Sequence, residues 1–187
     1  MKVNYLYWVQ HPYSLSLHHY RPAMKRRVFF TLLVILSGSA APAGVPFQTF
    51  DKSGFYAVMA SGKLGDIDAE LSVLATSPVK EKDAYEGALM MRKAGLLSRP
   101  KEKLTTFKTG AVRLETSLAK DSGNAEYHFL RLMIQEHAPR IVHYDKDRER
   151  DSQQIIRSFP TLSPGLQKAI LNYCPHSKLL HERELNG

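Results

Sequence analysis

Apolar side chains recur at helical spacing along most of the chain after residue 65. In the segment that follows Pro100, five of them are spaced by three and four residues: Leu104, Phe107, Ala111, Leu114 and Leu118. This spacing places them on one face of a helix. Proline is favoured in the first turn of a helix, and Gly123 lies in the turn that follows. The pattern predicts a helix from Pro100 to about Lys120.

The same periodicity predicts further helices on both sides of this segment. They cover residues 66–75, 81–97, 125–137, from 145 or 147 to 159, 163–174 and, with the weakest pattern, 177–185. Runs of alternating β-branched residues are scarce, so we predict an all-α fold, either stacked antiparallel helical hairpins or an irregular helical bundle. The helix at 125–137 is apolar around most of its circumference, so we expect it to be central. Four side chains should be buried together: Phe107, Leu114, Leu130 and Ile134.

The stretch before residue 66 is harder to assign. Residues 44–65 contain many glycine and serine residues, and we place only one short helix there, at 55–60. We therefore divide the chain after residue 43 into a poorly defined lead-in at 44–65 and an all-helical domain at 66–187.

Residues 24–43 have the organisation of a secretory signal. Lys25, Arg26 and Arg27 precede a nine-residue apolar stretch, 28–36, in which only Thr31 is polar, and small residues with Ala41 and Ala43 follow. A nine-residue helix spans about 14 Å, less than half of a bilayer's apolar core of about 30 Å. We therefore predict an exported protein, periplasmic or extracellular, with an uncleaved signal that anchors it to a membrane as the alternative.

Residues 1–23 differ from the rest of the chain. They contain the only tryptophan, Trp8, and no acidic residue. We interpret them as an over-extended N-terminus before a true start at Met24, or else as an unusually long n-region. The whole chain has a formal charge of +8, from 26 basic and 18 acidic residues. Five of the basic and none of the acidic residues precede Gly44, which leaves +3 for the remainder. The charges there are interspersed, and we interpret residues 145–151 as solvated helix surface, so we expect no nucleic-acid partner.

One stretch resembles a known repeat family. The small residues Gly110 and Ser117 flank Leu114, and Asn124 begins the sequence Asn-Ala-Glu-Tyr at the start of the next helix. This arrangement resembles the tetratricopeptide (TPR) family, in the second helix of one repeat and the first helix of the next. The resemblance implies stacked helical hairpins that contact another protein, and no binding residues are transferred from the family.

Residue combinations that carry chemistry are scarce. His137 and His143 are six residues apart with Pro139 between them and no third ligand at metal spacing, and Cys174 is the single cysteine. No glycine-rich phosphate loop or nucleophile elbow is present in the sequence. We therefore predict no catalytic, cofactor-binding or metal site. The alternative is a small exported enzyme with a site near His137, His143 and Asp145.

Polar groups on or just after the apolar helix at 125–137 suggest a different use. Arg131, Gln135 and Arg140 are the candidates for a groove that holds a partner. Arg131 is expected either to form a structural ion pair, with a carboxylate such as that of Glu126 or Glu86, or to hold an acidic partner. The leading functional prediction is thus an exported, non-enzymatic helical protein that binds another protein.

Overall fold

The computed structural model describes residues 49–185, which belong to one compact unit. About 76% of these residues are helical and none lies in a β-strand, which confirms the all-α prediction. The α-helices are α1 (Lys52–Ser61), α2 (Leu64–Thr76), α3 (Lys82–Leu96), α4 (Pro100–Lys120), α5 (Ala125–Gln135), α6 (Arg148–Ser158), α7 (Pro164–Tyr173) and α8 (Glu182–Leu185). Short 3₁₀ helices lie at Arg140–Val142, Phe159–Thr161 and Cys174–His176. The predicted signal at 24–43 and the segment at 1–23 lie outside the described residues.

Helix boundaries follow local capping chemistry. The side chain of Asn124 accepts hydrogen bonds from the backbone N–H groups of Glu126 and Tyr127 at the start of α5. Ser163 accepts from Leu166 N–H at the start of α7, and Pro100 occupies the first turn of α4. The Asn124 and Ser163 side chains satisfy N–H groups that have no partner within the helix, and Pro100 has no N–H group that needs one. Because such signals are local, the predicted and observed bounds of α4 coincide.

Helices α3 and α4 form a tight antiparallel hairpin. Arg113 pairs with Asp83 near the start of α3, whereas Gly110 lies against Gly87 further along it. A Cβ atom built on Gly87 would lie 2.7 Å from the carbonyl oxygen of Gly110. The two helix backbones therefore touch at a point where only glycine fits on either side.

Helix α5 is the centre of the unit, as predicted. Every residue from Ala125 to Gln135 is buried. Leu130 and Ile134 belong to the same buried cluster as Phe107 and Leu114, which confirms the predicted core group. Leu104 was expected on the same stripe, but it is 46% exposed. It lies in the first turns of α4, where no residue before Phe107 is buried, and the periodic pattern alone does not show where burial begins.

Both ends of the described chain pack onto this core. Helix α1 overlaps the short helix predicted at 55–60 and buries Phe55 and Met59, so the helical unit begins upstream of residue 66. At the other end, Glu136 accepts hydrogen bonds from the Ser177 hydroxyl and from Lys178 N–H. Among the helices described, none combines the length and the apolar character that crossing a membrane requires.

Candidate functional site: a pocket beside a buried ion-pair network

Three helices bring a group of charged side chains together. His128 and Arg131 are three residues apart on α5 and so lie on one face of it. Asp151 comes from the buried face of α6, and Glu115 comes from α4. We call these four residues, Glu115, His128, Arg131 and Asp151, the ion-pair network. It joins α4, α5 and α6 through their side chains.

Arg131 forms the centre of the ion-pair network. Its Nε donates to Asp151 Oδ2 at 2.8 Å and its Nη2 to Asp151 Oδ1 at 2.7 Å, a two-point contact between guanidinium and carboxylate. Its Nη1 donates to Glu115 Oε2 at 2.8 Å. Burial lowers the pKa of Arg131, but the hydrogen bonds and charge of Asp151, with the charges of Glu115 and Asp147, outweigh burial and raise it above the ordinary arginine value. The guanidinium therefore stays charged inside the protein.

His128 is held from both sides. Its Nδ1 lies 2.7 Å from Asp151 Oδ1, and its Nε2 lies 2.8 Å from the carbonyl oxygen of Ser122. Carboxylate and carbonyl oxygens only accept hydrogen bonds, so both bonds form together only on the doubly protonated ring. Each ring nitrogen already faces an acceptor. His128 therefore has no free nitrogen with which to take a proton from a bound molecule.

A second carboxylate of the ion-pair network is fixed by a tyrosine. The Tyr144 hydroxyl donates to Glu115 Oε1 at 2.6 Å, and the Tyr144 ring packs edge-on against Phe107. Burial, together with the nearby charge of Glu115, raises the pKa of Tyr144 above the usual tyrosine value. The hydroxyl keeps its proton and remains a donor, so Glu115 is held between Arg131 and Tyr144.

A pocket of about 410 Å³ opens beside the ion-pair network. We call it the arginine pocket, and it is lined by Glu115, Leu118, Ala119, Ser122, His128, Arg131, Arg150, Gln154 and Arg157. Arg150, Gln154 and Arg157 follow one another on α6 at intervals of four and three residues, so they share one face of that helix. The volume lies within the range of pockets that bind small ligands or a few side chains of a partner.

The structure separates the three residues predicted for a partner groove. Arg131 lines the arginine pocket, whereas Gln135 and Arg140 do not. Gln135 is 4% exposed, and its Oε1 has no hydrogen-bond partner among the described residues. Arg140 is exposed in the 3₁₀ helix that follows α5. The helix ends at Gln135, so the chain has already turned away from the α5 face when it reaches Arg140.

Arg131 forms an ion pair, as expected, but its partners are not Glu126 or Glu86. Glu126 is instead buried against α1 and α3, where it accepts hydrogen bonds from Lys52, Tyr56 and Tyr85. Glu86 binds Arg113 across the α3–α4 hairpin. Glu126 is five positions before Arg131 on α5, which places it on a different side of the helix.

The residues of the alternative enzyme site have separate contacts. His137 Nδ1 lies 2.9 Å from the carbonyl oxygen of Met133, and Asp145 forms a long ion pair of 3.9 Å with Arg148. His143 is exposed with a φ of 50°, at the end of the 3₁₀ helix. Within residues 49–185, no hydrogen bond or ion pair joins any two of these three side chains. They therefore make no acid–base pair in this structure.

Sequence reasoning missed two central residues of the ion-pair network. His128 was not selected, although it shares a helix face with Arg131 and Gln135. Asp151 was placed on a solvated helix surface, which is wrong, because it is 0% exposed. The helical spacing within α6 could have shown that Asp151 is buried, because Asp151 lies four positions before the buried Ile155 and therefore shares its face.

Neither a metal site within the described residues nor a match to a known protein indicates a function. The arginine pocket is therefore the main functional evidence. Over residues 49–185, no group of three or more His, Cys, Asp and Glu side chains is placed to hold a metal ion. The chain matches no family model, no curated protein and no solved structure.

Proposed function

We propose that this chain is a non-enzymatic binding protein that contacts another protein through the arginine pocket. The observation that supports the proposal is an open pocket, one wall of which is fixed by ion pairs and hydrogen bonds of Glu115, His128 and Arg131. A rigid wall loses little conformational entropy when a partner binds, which favours recognition. Export through the predicted signal at 24–43 belongs to the same proposal, with retention at a membrane by an uncleaved signal as its alternative.

The chemistry of the ion-pair network favours binding over catalysis. A general acid or base must exchange a proton with a ligand within hydrogen-bond reach. Both nitrogens of His128 are occupied, and Asp151 is excluded from solvent and bound by Arg131. Tyr144 and Glu115 are bound to each other. These groups stabilise the pocket wall and leave no free acid–base pair among them.

The proposal is tested by filling the arginine pocket without changing its charge. Ala119 is an exposed residue of the lining on α4, so Ala119→Trp introduces bulk there. Val112 lies on the same helix, is 67% exposed and is not part of the lining, so Val112→Trp is the matched control. Each purified full-length protein is used to capture partners from an extract of the native host, and the captured proteins are compared by mass spectrometry.

We expect Val112→Trp to capture the same proteins as the wild type and Ala119→Trp to lose them. Circular dichroism and urea unfolding are used to check that both variants are folded to the same extent as the wild type. An Ala119→Trp variant with an unchanged set of partners would refute the arginine pocket as the contact site. A catalytic activity of the wild type that disappears in the His137→Ala, His143→Ala double variant would instead favour an enzyme.

A further inference from the structure

The arginine pocket presents the guanidinium groups of two exposed arginines to solvent, whereas one nearby carboxylate, that of Asp151, is buried behind the wall. Asp151 is buried under Arg131 and His128. Arg150 and Arg157 are both exposed at the pocket, and 63% of the Arg150 side chain is accessible. When Asp147 and Glu115 are included, the positive and negative charges of this region nearly balance. The distinguishing feature of the region is the placement of guanidinium groups at the opening of the pocket.

Both exposed arginines are available to a ligand. Arg157 forms no ion pair with any described residue, and its Nη2 donates to the amide oxygen of Gln154 at 2.9 Å. Arg150 pairs with Asp147 at 3.1 Å, three positions earlier on an exposed surface. Exposed ion pairs of this kind contribute roughly 0 to 1 kcal/mol, so a ligand can replace this contact at little cost.

The spacing of the two arginines suits a short segment of chain. They lie seven positions apart on α6, about 10 Å along the helix axis at roughly 1.5 Å per residue. Gln154 lies between them, and its amide nitrogen donates a hydrogen bond to the carbonyl oxygen of Gly123. This bond fixes the Gln154 side chain, whose amide oxygen in turn orients Arg157. Two guanidinium groups at this distance can bind two neighbouring acidic side chains or grip one from both sides.

The remaining lining indicates what the segment carries besides charge. Leu118 and Ala119 contribute apolar surface from α4. The carboxylate of Glu115 also lies in the wall, with 41% of its side chain exposed, and it disfavours a doubly charged phosphate more than a singly charged carboxylate. The interspersed charges elsewhere do not form a stripe that could follow a nucleic-acid backbone.

We infer that the arginine pocket binds an acidic segment of a partner protein, with Arg150 and Arg157 holding its carboxylates and Leu118 and Ala119 contacting an adjacent apolar side chain. The inference rests on the proposed function, because it names the chemistry of the partner at the same pocket.

The test measures direct binding of a probe peptide. A short fluorescent peptide of alternating Glu and Leu residues is titrated with the full-length protein at low salt, and fluorescence anisotropy reports binding. The same peptide with every Glu replaced by Gln is the control for charge. Single-stranded oligothymidylate of similar length serves as the probe for a phosphate backbone. The variants are Arg150→Gln and Arg157→Gln, with Arg140→Gln as the matched control because Arg140 is also exposed but lies outside the arginine pocket.

We expect the Glu-Leu peptide to bind and the Gln-Leu peptide not to bind. Arg150→Gln and Arg157→Gln should each weaken binding about tenfold, the loss of one charge-assisted hydrogen bond, and Arg140→Gln should leave it unchanged. Added salt should also weaken binding. Equal binding of the two peptides, equal effects of all three variants, or tighter binding of the oligothymidylate would each overturn the inference.

Partner capture separates this inference from the proposed function. If Ala119→Trp abolishes capture and the Arg150→Gln, Arg157→Gln double variant does not, the arginine pocket is the contact site but its partner is not acidic, and the inference is wrong. If neither variant affects capture, both the inference and the proposed function fail. Loss of capture in both variants supports both.

Discussion

At the scale of single residues, buried charge is the most informative feature of this protein. A carboxylate without solvent is stable only if hydrogen-bond donors replace the lost water. Asp151 meets this condition through Arg131 and His128, and Glu126 meets it through Lys52 and two tyrosines. Each of these carboxylates binds residues at least 20 positions away, so Asp151 joins α6 to α5 and Glu126 joins α5 to α1 and α3.

Removing the charge of Asp151 tests the ion-pair network. Asp151→Asn keeps the shape of the side chain but places an amide group against the donors of Arg131 and His128, leaving a buried guanidinium with too few acceptors. We expect the free energy of unfolding to fall by about 3 kcal/mol, as when one partner of a buried ion pair is removed. Urea unfolding, monitored by circular dichroism, measures this loss in the free energy of unfolding.

Asp145→Asn is the matched control for this change. Its carboxylate is half exposed, and its ion pair with Arg148 is long, so we expect a loss below about 0.5 kcal/mol. Equal losses for Asp145→Asn and Asp151→Asn would contradict the role assigned to the network.

At the scale of helices, the α3–α4 hairpin depends on the absence of side chains. The backbones of its two helices are in contact at Gly87 and Gly110. Glycine within a helix costs up to about 1 kcal/mol relative to alanine, because it is more flexible when unfolded. The hairpin tolerates this cost since close approach lets the flanking side chains of both helices interdigitate.

Gly110→Ala should therefore destabilise the protein although alanine is the better helix former. Its Cβ would lie 2.5 Å from the carbonyl oxygen of Gly87 and 2.9 Å from the Cβ of Met90, so the backbones must move apart. Overpacking costs about 1 to 3 kcal/mol, and after the gain in helix propensity we expect a net loss of about 1 to 2 kcal/mol in thermal or urea unfolding.

Gly65→Ala in α2 isolates the effect of helix propensity. Nothing lies within 4 Å of a Cβ built at Gly65, so this change should stabilise the protein by up to about 1 kcal/mol. A Gly110→Ala variant that is stabilised to the same extent would show that the two helices are not in contact there.

At the scale of the whole molecule, tyrosine hydroxyls connect the outer segments to the centre. Tyr56 on α1 and Tyr85 on α3 both donate to Glu126, and Tyr144 donates to Glu115. Burial first, and then the charge of the nearby carboxylate, raises the pKa of each of the three. The folded state therefore keeps these tyrosines protonated at a pH where free tyrosine ionises.

This shift makes the protein sensitive to alkali. Unfolded chains ionise tyrosine near pH 10. Because the folded pKa values are higher, the stabilisation is complete below about pH 10 and is lost as the pH rises above it. We expect a fraction of the tyrosines to ionise only together with unfolding, measured by tyrosinate absorbance and circular dichroism in the same titration. Tyr144→Phe should reduce that fraction. Ionisation of every tyrosine near pH 10 with unchanged helicity would contradict these assignments.

The all-α class, the position of α4 and the central place of α5 were determined by the sequence itself. Each depends on interactions between residues at most a few positions apart, such as the i, i+3 and i+4 spacing of apolar side chains and the caps at Asn124 and Ser163. The buried state of Leu130 and Ile134 followed from the same spacing, because a helix that is apolar on all sides must be surrounded.

Only the tertiary structure decided which charges meet. Arg131 has three acidic residues within reach, on α4, on α6 and in the turn before α6, and its bidentate contact with Asp151 depends on the rotation of α6 against α5. The arginine pocket arises in the same way, because its lining comes from α4, α5 and α6 and from the turn at Ser122. Helix packing allows many rotations of similar energy, and the one adopted is selected by the fit of the whole core, which no local pattern contains.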